Sequence, residues 1–110
     1  METAARRKTN SPSYSTAYFF LEGLSELGIE YLFCNFGTDH APIIEEMARW
    51  TKLGRKFPAT ILCPHENTAM HMAAGYAAVT GRGQGVLVHV DAGTANCAMA
   101  CRRDSTSCRR

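Results

Sequence analysis

One carboxylate of this chain stands where a carboxylate can do chemistry. Glu66 follows the apolar run Ala59–Cys63, closed by Pro64, and opens an alanine- and methionine-rich stretch of helical spacing. In an open α/β sheet such a strand-to-helix junction lies on the carboxyl edge, where ligands bind. The same position also suits a glutamate with no ligand, because the helix dipole stabilises a first-turn carboxylate. The turns Asn35–Asp39 and Asp91–Asn96 follow two further apolar runs, so three loops converge on one rim with Glu66 between them.

Other residues fail the spacing that their chemistry requires. His65 and His71 lie near the same helix start, as in zinc proteases. A separation of six turns the second ring by roughly 240°, onto another helix face, and excludes that site. Gly81, Gly83 and Gly85 precede a strand. A dinucleotide loop must follow one, so that amides at the helix start meet the pyrophosphate. They read as a helix stop and a turn, and a nicotinamide-binding domain is excluded. The cysteines Cys34, Cys63, Cys97, Cys101 and Cys108 are odd in number and include no Cys-x-x-Cys pair. They indicate free thiols in a reducing, cytoplasmic setting, and no metal is expected on them.

Periodicity supplies the elements that carry the rim. Ala17, Phe20, Leu21, Leu24 and Leu27 predict a helix over Thr16–Leu27, stopped by Gly28. Ile29–Cys34 reads as a short buried strand, ended by Asn35-Phe36-Gly37. Ile43, Ile44, Met47 and Trp50 predict a helix from Ala41 to Trp50, with Pro42 in its first turn. Strand Ala59–Cys63, helix Glu66–Val79 and strand Gly85–Val90 follow, and His89 then alternates on a half-buried strand. Such alternation implies parallel strands joined by crossover helices. The expected fold class is α/β, an open parallel sheet in an incomplete doubly wound domain.

Composition sets the outer limits. A chain of 110 residues, 45% hydrophobic, accommodates one small core and not two. No apolar run approaches the roughly 18 residues of a membrane span. A net charge of +2 is too near balance for a nucleic-acid binder. Residues 1–13 read as a flexible lead-in, 14–100 as the domain, and 101–110 as an Arg-rich tail with no aliphatic or aromatic residue. A crossover helix needs an apolar stripe, so the helix opening at Asn96–Ala100 is not expected to continue through that tail. Three strands make a marginal sheet, and the expectation is a chain cut or shifted out of frame near Ala100.

Together these residues resemble a known family. The stretches Pro64-His65-Glu66-Asn67-Thr68-Ala69, Ala73-Ala74-Gly75-Tyr76-Ala77 and Thr80-Gly81 are similar to the pyrimidine-binding N-terminal domain of thiamine-diphosphate-dependent enzymes. The acetolactate synthase and benzoylformate decarboxylase group is nearest. Leu32-Phe33-Cys34-Asn35-Phe36-Gly37-Thr38 and Gly93-Thr94-Ala95-Asn96 fall in the family's order and spacing, so the resemblance runs from about Tyr14 to Ala100.

The resemblance implies that Glu66 is the activating glutamate. It would bond a ring nitrogen of the cofactor's aminopyrimidine and so let the exocyclic nitrogen remove the thiazolium proton. To share a proton with so weak a base, its proton affinity is expected to be raised, by an apolar wall of Ile61, Ala69 and Met70. The helix start pulls the other way, and sequence alone does not rank the two. Asn35, Gly37, Gly93 and Asn96 match cofactor-binding positions, and His89 matches a catalytic histidine of the decarboxylases. Phe36 replaces a usual proline, while Ala92 and Thr94 depart from the Gly-Pro-Gly-Ala of acetolactate synthases. The implied substrate is a 2-keto acid and the implied assembly a homodimer or homotetramer. Mg2+ and the diphosphate would sit on a C-terminal domain with a Gly-Asp-Gly motif that this chain lacks. The chain alone would then be inactive. The alternative is a non-catalytic α/β domain that dimerises or binds a relative.

Overall fold

A computed structural model describes residues 14–104, and side chains through residue 100. Helix α1 (Thr16–Glu26) leads into strand β1 (Tyr31–Cys34) and a 3-10 turn (Thr38–His40), followed by α2 (Ala41–Lys52). Then come β2 (Ala59–Leu62), α3 (Glu66–Thr80), β3 (Gly85–Leu87) and α4 (Val90–Asp104). The strands form one parallel sheet in the order β2-β1-β3, with Leu32 opposite Thr60 and Gly85. This is the expected open α/β sheet.

Local chemistry sets the boundaries. The Ser15 hydroxyl accepts the Tyr18 N–H at 3.0 Å and caps α1. Pro42 occupies the first turn of α2, where its missing N–H costs no helical bond. The His65 ring accepts the Asn67 N–H and caps α3, which ends at Gly81 in the left-handed region.

Successive residues of β1 face opposite sides, and that alternation places the helices. Leu32 packs with Tyr18, Leu21, Met47 and Trp50 beneath α1 and α2. Phe33 packs with Cys63, Ala69 and Ala73 beneath α3. Cys34 and Cys63 are buried free thiols. Tyr18, absent from the expected apolar stripe, is buried in this first cluster, and Arg55 lies over its ring. The Arg55 guanidinium lies 4.8 Å from the Tyr18 ring centre and 4.2 Å from that of Trp50. Leu27 and Ile44 are exposed, contrary to their place in the periodic stripes; Leu27 falls at the C-cap, outside the helix.

Three expectations at the C-terminal end are corrected. β3 stops at Leu87, so His89 lies beyond the strand instead of alternating on it. The segment Asp91–Asn96 is the start of α4 and not a free turn. Val90 makes this change of direction with φ +41°, a strained conformation for a β-branched residue. The helix also continues through Asp104, beyond the expected limit at Ala100. Buried Cys97 and Ala100 anchor it, and arginine sustains helical propagation well. Residues 1–13, the side chains of 101–104 and all of 105–110 lie outside the described residues. Among the described residues, no helix is long and apolar enough to cross a membrane.

Candidate functional site

The carboxyl ends of the three strands bring four elements to one rim. Asn35 follows β1, Glu66 opens α3 just after β2, His89 follows β3, and Gly93 and Asn96 lie in the first turns of α4. Glu66 is only 8% exposed. Its carboxylate accepts one amide N–H on each oxygen, from Asn35 Nδ2 at 2.9 Å and from Asn96 Nδ2 at 2.9 Å. The Cys97 thiol donates to the Glu66 carbonyl at 3.6 Å and ties α4 to α3. Gly93 faces the carboxylate so closely that a Cβ there would lie 3.2 Å from Oε1. The site residues Asn35, Glu66, Gly93 and Asn96 are therefore neighbours in space.

Of the two influences left unranked by the sequence, the one that lowers the proton affinity of Glu66 prevails. The Asn96 amide, the backbone N–H of Glu66 itself and the Asn35 amide hold the carboxyl below its usual 4.5, and they outweigh the effect of burial. Ala69 and Ile61, expected as an apolar wall, pack with Phe33 in the core. The groups bonded to the carboxylate oxygens are amides. A carboxylate whose affinity falls on folding contributes stability that is fully present above its unfolded value. That stability is lost as pH falls through the folded value. Thermal melts from neutral to acid pH are expected to show a falling melting temperature below about 4.5. Glu66→Gln should flatten part of that slope. Asp39 and Glu30, also held below their usual values, supply the remainder.

A second group occupies the other side of the rim. His89 Nδ1 lies 2.5 Å from Asp39 Oδ1, and its ring rests on Gly37, where a Cβ would come within 2.1 Å of the ring. Buried His40 accepts the Gly37 N–H on Nδ1 at 3.0 Å. Gly37 thus serves as the floor beneath His89. Asp39 and His40 were not singled out from the sequence, because only the β1-β3 pairing brings His89 beside them.

The residues present can receive a ring N–H of a bound cofactor. Each Glu66 oxygen uses one lone pair on an amide and keeps another for a ring N–H, and bare Gly93 leaves room beside it. They do not fit a diphosphate with Mg2+, which prefers an all-oxygen set. Asp39, His40 and His89 place possible ligand atoms within 4.8 Å of one another, but two of the three are imidazoles.

Over residues 15–103 the sequence matches the family described as thiamine pyrophosphate enzyme, N-terminal TPP binding domain. No curated protein gives a significant match. The matched span takes in Asn35, Gly37, Glu66, His89, Gly93 and Asn96, which the fold gathers on one rim. The chain belongs to the N-terminal, thiamine-pyrophosphate-binding domain family of thiamine pyrophosphate enzymes.

Proposed function

We propose that this chain supplies the pyrimidine half of a thiamine diphosphate site in an enzyme that decarboxylates or carboligates 2-keto acids. The motifs around Glu66 and Gly93 are similar to those of acetolactate synthases and benzoylformate decarboxylases. The observation that carries this reading is the Glu66 carboxylate, buried at the strand ends and held by two amides that leave a lone pair on each oxygen. When bound, the cofactor supplies a carbon acid whose conjugate base attacks the carbonyl of a 2-keto acid.

The chain's own residues do the rest on this side of the site. Glu66, kept ionised by its amide partners, accepts a ring N–H and favours the protonated ring nitrogen over the bare one. Asn35 and Asn96 fix the carboxylate plane, so the N–H must approach along one direction. Gly93 leaves its face of the carboxylate uncovered. His89 stands on the same rim as a proton carrier for the substrate side. Its Ala92-Gly93-Thr94 neighbourhood leans toward the decarboxylases.

Mg2+ and the diphosphate fall to a separate C-terminal domain, and the complete site forms in a homodimer or homotetramer. Titration of the purified chain with thiamine diphosphate and Mg2+ in a calorimeter is therefore expected to show no micromolar binding, and pyruvate should not be turned over. Micromolar binding by the chain alone would overturn the division of the cofactor between two domains.

A further inference from the structure

We propose that Asp39 is a positioning residue for His89, holding its imidazole in the Nδ1–H tautomer so that Nε2 carries the ring's lone pair. The role of the ring in turnover rests on the function proposed above; its tautomer does not.

The geometry leaves little choice of proton position. Nδ1 of His89 faces Asp39 Oδ1 at 2.5 Å, a charge-assisted separation. An ionised carboxylate can only accept, so the shared proton belongs to Nδ1. Burial raises the proton affinity of Asp39, but the His89 hydrogen bond and the nearby imidazoles outweigh it and keep the carboxyl below its usual range. The acceptor is thus ionised at neutral pH. A neutral imidazole with a proton on Nδ1 has its free lone pair on Nε2, at the far side of the ring.

The ring is also held in place sideways. It lies on the bare Cα of Gly37, and the His40 ring meets it edge-on with centres 5.9 Å apart. His40 is locked in the opposite sense. Its Nδ1 accepts the Gly37 N–H at 3.0 Å, while the His40 backbone N–H donates to the Gly37 carbonyl at 3.1 Å. That pair of bonds closes the 3-10 turn from which Asp39 projects. It also occupies the His40 lone pair at Nδ1, so the three side chains do not offer three free metal donors. A carboxylate and imidazole pair accounts for the cluster better than a cation site.

The tautomer can be read directly. Long-range proton–nitrogen correlation spectra of the 110-residue chain, taken at alkaline pH, distinguish a protonated from a bare nitrogen. The unmodified chain is expected to show His89 with Nδ1 protonated and Nε2 bare. Asp39→Ala should move the signature toward Nε2–H. Gly37→Ala keeps the carboxylate but displaces the ring, and should do the same. A bare Nδ1 in the unmodified chain overturns the proposal, even if neither variant folds. So does an unchanged ring signature in a folded Asp39→Ala.

Turnover in the assembled enzyme separates this inference from the reading beneath it. His89→Ala and Asp39→Ala should each lose roughly 10²-fold. The double variant should fall no further, as for residues acting as one unit. If His89→Ala turns over normally while the unmodified chain shows His89 with Nδ1–H, the catalytic role of His89 fails and the hold of Asp39 on the ring stands.

Discussion

In the assembled enzyme, Glu66→Gln is expected to lower turnover by roughly 10²–10⁴-fold. Glutamine keeps the shape and one acceptor oxygen but loses the charge. It also replaces the other oxygen with an amide that donates. One of the two asparagines then faces a donor with a donor, since Asn35 and Asn96 each present Nδ2 to Glu66. The variant therefore loses both the anion that accepts a ring N–H and the fixed plane that aims it. The loss should appear in kcat at saturating cofactor, because the interaction is needed for proton removal and not only for binding. Unchanged turnover would favour a non-catalytic domain that only dimerises or binds a relative.

Trp50→Ala should destabilise the domain by about 3–5 kcal/mol. Small domains hold about 5–15 kcal/mol in total, so the variant would sit near the limit of folding. Trp50 is 2% exposed and packs edge-on to Tyr18 with ring centres 5.3 Å apart. Its Nε1–H donates to Glu46 Oε1 at 2.9 Å, and the Arg55 guanidinium covers its face. Alanine leaves a cavity and removes a donor from a buried glutamate, whose other oxygen is held by the Ser15 hydroxyl at 3.2 Å. Trp50→Phe keeps most of the packing and should cost clearly less. Urea unfolding of the three proteins measures the difference, and equal midpoints for Trp50→Ala and the parent would contradict this packing. Because α2 follows directly from the turn that carries Asp39 and His40, loosening it should also disturb the His89 side of the rim.

The parallel sheet was legible because strands and helices alternate along the chain. Leu32 and Phe33 belong to two separate apolar clusters, and only helices on both faces satisfy them. Glu66 was legible too, since strand, proline and alanine-rich helix fix its place in order. The end of β3 was not. Val88-His89-Val90 has the composition of a strand, but β1 pairs only as far as Leu87, and the Asn35 N–H closes on the Leu87 carbonyl at 3.0 Å. The direction of the shift at Glu66 was hidden for a similar reason. Its amide partners arrive from positions 31 and 30 residues away, and no local pattern announces them. Asp39 and His89 stand 50 residues apart and meet through strand order alone.

The measurement closest to the role of Glu66 needs no substrate. Exchange of the thiazolium proton of bound thiamine diphosphate with solvent deuterium reports proton removal by itself. In the assembled enzyme, Glu66→Gln is predicted to slow that exchange by roughly 10²-fold or more with the cofactor still bound. Equal exchange rates with and without the Glu66 carboxylate would contradict it.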